Sequence, residues 1–139
     1  MAKPDQYYKN AAKGWFERAA DDLLWTANNI KTKFYTQACF TSQQSAEKAL
    51  KAYLRSKRVE IDKSFKTHQL AKLLSYCVKI DRSFSALEAN CRILNEYYAP
   101  TRYPEMLDLE FRDYTEKEAD DAYGLAKEIV DFVKKKISR

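Results

Sequence analysis

Arg102 and Tyr103 lie between Pro100 and Pro104, with Tyr97, Tyr98 and Tyr114 close by in the chain. Proline fixes φ and stiffens the backbone on both sides. An arginine fork held there can take a phosphate through parallel hydrogen bonds, and tyrosine rings can stack on a base or line its pocket. The same residues also fit a structural role, in which Arg102 ties the loop to a carboxylate such as Glu96 or Asp108. A second cationic set comprises Lys48 and Lys51, with Gln44 and Arg55 alongside. At about 100° per residue these share a narrow helical stripe with Gln37 and Thr41. A stripe of this kind can face phosphate, but a solvated helix face is the expected reading. Phe40 lies at the edge of the stripe. An apolar ring there, with Gln44 beside it, fits a dimer interface better than a solvated surface.

Other chemistries lack their parts. The single histidine, His68, follows Thr67, a candidate helix cap, and no serine or cysteine nucleophile accompanies it in a recognisable motif. Cys39, Cys77 and Cys91 occur singly, which suggests reduced thiols in the cytoplasm. One histidine and isolated cysteines make no metal cluster, and the carboxylates lack the Glu-x-x-His spacing of di-iron bundles. With only two glycines there is no phosphate-cradling loop, which excludes a self-contained kinase or ATPase. No cofactor is therefore expected. The net charge of +5 is partly the run Lys134-Lys135-Lys136 with Arg139, a favourable placement at a helix C-terminus. No apolar run approaches membrane-spanning length and no signal peptide is visible, so no membrane partner is expected.

The elements that must position these residues are helical. Scarce glycine and proline argue against a strand-and-turn protein, and 139 residues suit one core. Residues 1–9 read as a flexible N-terminal tail and 10–137 as a single domain, with the alternative that Tyr7 and Tyr8 begin the first helix or pack at its entrance. A first helix spans about Asn10 to Ile30, with Phe16, Ala19, Ala20, Leu23, Ala27 and Ile30 inward and Asp21 and Asp22 towards solvent. The short link Lys31–Lys33 implies an antiparallel hairpin with a second helix, Phe34 to Lys57. That helix carries a broad face rich in small residues (Ala38, Ser42, Ser45, Ala46, Ala49), which marks it as central and closely approached. A third helix opens at Thr67 and carries Leu70, Leu73, Leu74 and Cys77. A fourth, opened by a capping box Ser85–Glu88, carries Phe84, Leu87, Cys91, Leu94 and Tyr98 and stops before Pro100. The irregular stretch 100–114 follows. A second capping box, Thr115–Glu118, opens the last helix, with Ala119, Ala122, Ala126, Ile129, Val130, Val133 and Ile137 on one face.

Three segments in order, Gln43-Gln-Ser-Ala-Glu-Lys-Ala-Leu-Lys-Ala52, Thr67-His-Gln-Leu70 and Tyr97-Tyr-Ala-Pro-Thr-Arg-Tyr-Pro104, resemble the HEPN domain family of small helical prokaryotic proteins. The similarity covers nearly the whole chain. It implies an all-α, up-and-down bundle of about five helices, a homodimer, and a separate minimal nucleotidyltransferase chain as partner. It also implies nucleotide or RNA as ligand, with ribonuclease toxins in many branches. The ribonuclease motif of the family is an arginine followed, after four to six residues, by a histidine. Here the nearest arginine before His68 is Arg58, too far away, and no histidine follows Arg102. The general acid or base of that chemistry is missing. The expectation is a non-catalytic nucleotide-binding or interaction module, with Arg102, Tyr103, Tyr98, Lys48 and Lys51 as candidate contacts. The alternatives are a divergent ribonuclease toxin using Arg102 and tyrosines, or a purely structural dimer.

Overall fold

The computed structural model describes residues 3–60, 69–97 and 113–138. They form five α-helices: α1 Asp5–Lys31, α2 Tyr35–Ser56, α3 Leu70–Ile80, α4 Glu88–Asn95 and α5 Glu116–Ile137. A 3-10 segment, Arg82–Leu87, leads into α4, and no strand occurs among the described residues.

The all-α bundle is as expected, with α2 at its centre: 16 of its 22 residues are buried. Small side chains make that possible. Ala19, Ala38, Ala46, Ala49, Ala52, Ala119, Ala122 and Ala126 are all fully buried. Ser45 Oγ donates to the carbonyl of Ala19 at 2.7 Å, directly across the α1–α2 seam. Larger residues close the other side, where the Phe84 ring lies 4.3 Å from Tyr53 and 4.9 Å from Phe132. This joins α2, the 3-10 segment and α5. Leu70, Leu73, Leu74 and Cys77 of α3 are buried as their spacing predicts, as are Leu87, Cys91 and Leu94. Tyr98, expected on the same stripe, lies outside the described residues.

Both ends of the hairpin stop the same way. Lys33 and Arg58 adopt the left-handed conformation, φ 69° and 64°. At the end of α1, Lys33 N–H donates to Ile30 and Phe34 N–H to Asn29. At the end of α2, Arg58 N–H donates to Arg55 and Val59 N–H to Leu54. These are Schellman closures, built without the glycine that normally relieves the strain.

Three local expectations are corrected. α1 begins at Asp5, so residues 5–9, read as tail, are helical and bring Tyr7 and Tyr8 against the end of α2. Ser85 opens no capping box: Asp81 accepts from Ser83 N–H and starts a 3-10 turn, and α4 begins at Glu88 with no side-chain cap. The third concerns the polar stripe of α2, described below. Thr115–Glu118 forms the capping box in full, with Thr115 N–H on Glu118 Oε1 at 2.9 Å and Glu118 N–H on Thr115 Oγ1 at 3.2 Å.

Candidate functional site

Arg102, Tyr103, Tyr98 and His68 lie outside the described residues. The structure does place the two ends of the stretch that carries the first three. Tyr97, just after α4, and Tyr114, just before α5, stack edge to face with centroids 5.0 Å apart. Thr36 of α2 fastens the second end: its hydroxyl donates to Asp113 Oδ1 at 3.2 Å and accepts from Tyr114 N–H at 3.0 Å. The second end thus meets the N-terminal part of α2 at the buried Thr36, and the first packs on it through Tyr114. Burial pushes the Tyr97 phenol up to about 12, helped by the neighbouring Cys39, Glu118, Tyr114 and Asp121. That hydroxyl stays protonated at neutral pH, so it serves as a packed aromatic and not as a base.

The stripe of α2 carrying Lys48 and Lys51 is not a solvated face, because α1 covers it. Thr26 and Thr41 share a hydrogen bond of 2.6 Å inside this seam. Lys51 is only 6% exposed. Its ammonium bonds Glu47 at 3.0 Å and lies 5.2 Å from the Trp15 ring centroid. A cation so enclosed has no face left for a ligand. Arg55 is also buried, and its guanidinium bonds the Val59 carbonyl, Glu60 and the Tyr7 hydroxyl. Asp22, expected towards solvent, is buried and accepts from Lys48 at 2.6 Å. Gln44 is half-buried and donates to Gln43 at 2.6 Å. Phe40 is half-buried and already engaged within the chain.

Lys48 keeps an outward face. It lines a groove of about 450 Å³ with Ala11, Gly14, Trp15 and Arg18 of α1. Gly14 opens onto this groove, and a Cβ there would meet nothing within 4 Å. Among the described residues Arg18 has no hydrogen-bond or ion-pair partner, and it is exposed. An indole beside two cations over a glycine floor can seat an anionic aromatic ligand. Trp15 and Arg18 were missed in the sequence. The signal available was a glycine inside a long helix, in a chain that has only two, immediately before a tryptophan. No group of three or more metal-ligating side chains occurs among the described residues, and no described helix is long and apolar enough to cross a membrane.

A family model described as HEPN domain matches residues 12–136. A candidate toxin of Methanocaldococcus jannaschii, MJ1304, is 30% identical, with 90% of each chain covered. The crystal structure of TT1696 from Thermus thermophilus superposes with a TM-score of 0.77 at 30% identity, covering 91% of this chain and 98% of that one. That of ST0689, described as an archaeal HEPN homologue, gives a TM-score of 0.72 at 29% identity, covering 91% and 97%.

Proposed function

The chain belongs to the HEPN domain family, and from that premise we propose that it is a non-catalytic nucleotide-binding and interaction protein. It acts as a homodimer with a separate minimal nucleotidyltransferase chain and supplies part of the substrate-binding surface. The observation that carries this reading is the lack of any arginine followed after four to six residues by a histidine, in a chain with one histidine. Arg102, Tyr103 and Tyr98 are the contacts proposed for the nucleotide. The anchoring of Asp113 and Tyr114 on Thr36 of α2 fixes the chain just after this segment and supports that reading. Lys48 remains a candidate through the groove it shares with Arg18 and Trp15. The buried free thiols fit a reducing cytoplasm.

Affinity purification of the tagged chain from its own cells, with mass spectrometry, tests the partnership. A minimal nucleotidyltransferase should be recovered in stoichiometric amount, and a panel of nucleoside triphosphates should raise the melting temperature. Recovery of no transferase, together with unchanged melting, sinks the reading. The likeness to the candidate toxin MJ1304 favours a second reading, a divergent ribonuclease toxin acting through Arg102.

A further inference from the structure

We infer that the groove between α3 and α4 is the seam between two copies of this chain, with Glu88 of each copy paired to Arg92 of the partner subunit. This names the surface on which the homodimer proposed above would form, and so rests on that reading.

The groove has a volume of about 600 Å³ and runs the length of the α3–α4 hairpin. Ala71, Leu74, Ser75 and Val78 line it from α3, at the i, i+3, i+4, i+7 spacing of a helix-contacting stripe, with Lys79 at its end. Ser85, Glu88, Arg92 and Asn95 line it from the other side. The outward surface here is unlike the rest of the molecule. Ala71, Ser75, Ser85, Ala86 and Ala89 are exposed small residues, and Ile93 is 39% exposed. By contrast, the outer face of α5 carries lysine–carboxylate pairs such as Lys117–Asp121 and Lys127–Asp131. Small outward residues let a second helix approach closely.

The charges on the groove say what that second helix is. Glu88 and Arg92 are spaced i,i+4, the geometry of an ion pair within one helix. Yet among the described residues neither has a hydrogen-bond or ion-pair partner. A two-fold axis crossing α4 between them sets the second α4 antiparallel to the first. Glu88 then faces Arg92 of the partner subunit, and the reverse pair forms by symmetry. In a two-fold interface residue i meets j and j meets i, so one carboxylate and one guanidinium a turn apart are self-complementary.

Sedimentation equilibrium on three samples tests this: the wild type, Glu88→Arg and Arg92→Glu. Both positions are exposed, so the circular dichroism spectrum of each variant should match that of the wild type. Each reversal sets like charges opposite each other twice and should weaken dimerisation by at least about 100-fold. An equimolar mixture of the two variants should restore a heterodimer, because one chain carries two arginines and the other two glutamates. If both variants dimerise as tightly as wild type, the seam lies elsewhere while the homodimer stands. Folded variants that fail to associate when mixed also overturn the pairing. A wild type that stays monomeric removes the homodimer itself and this seam with it.

Discussion

Glu47 and Lys51 are 4% and 6% exposed and bonded to each other under Trp15. Removing one member of such a pair strands a buried charge, so Glu47→Ala should lower unfolding stability by about 3 kcal/mol, measured in urea. Replacing both by apolar residues of similar size should cost far less. The i,i+4 spacing of this pair is plain in the sequence, but its burial is not. A helical wheel assigns charge to solvent, and only the docking of α1 along α2 reveals that the pair is internal. The cysteines were easier to read, because each falls on an apolar stripe. Burial pushes the Cys39 and Cys91 thiols up to about 12, and Cys77 further still. None of the three should react with Ellman's reagent at pH 8 while the protein is folded, and all three should react once it is denatured.

Element boundaries followed caps where the cap was local. Thr115→Ala removes one half of a complete capping box and should cost about 1 kcal/mol by denaturant unfolding. Ser85–Glu88 carried the same letters and formed no cap, because Asp81 lies upstream and takes the Ser83 amide and hydroxyl first. Asp81 also accepts from Lys136 at 2.8 Å. The Lys136 ammonium and both Ser83 donors hold its carboxyl well below the usual carboxylate range. A carboxyl depressed in the folded state adds stability above its unfolded value, about 3.9, and loses it as pH falls towards the folded one. The urea midpoint should therefore decline below about pH 4. Asp81→Asn should lower the midpoint at neutral pH and flatten that acid limb. At the α1–α2 corner, Lys33→Gly should stabilise by up to about 1 kcal/mol, because glycine takes positive φ without the side-chain clash.

At the scale of the molecule, periodicity was enough for the bundle, and three short segments in order were enough for the family, which the match over residues 12–136 and the two structural neighbours support. The site was less legible. Its pieces come from distant parts of the chain: Trp15 and Arg18 from α1, Lys48 from α2, and the anchors Thr36, Tyr97 and Tyr114 from three separate stretches. No local pattern encodes such a meeting; helix packing does. We propose that this HEPN chain does not cleave RNA, since no histidine follows an arginine at the family's spacing to exchange the proton. Expressing the wild type and Arg102→Ala without any partner, and following growth together with the integrity of cellular RNA, tests it most directly. Unimpaired growth and intact RNA are expected for both; growth arrest and RNA cleavage by the wild type that vanish in Arg102→Ala would overturn the proposal.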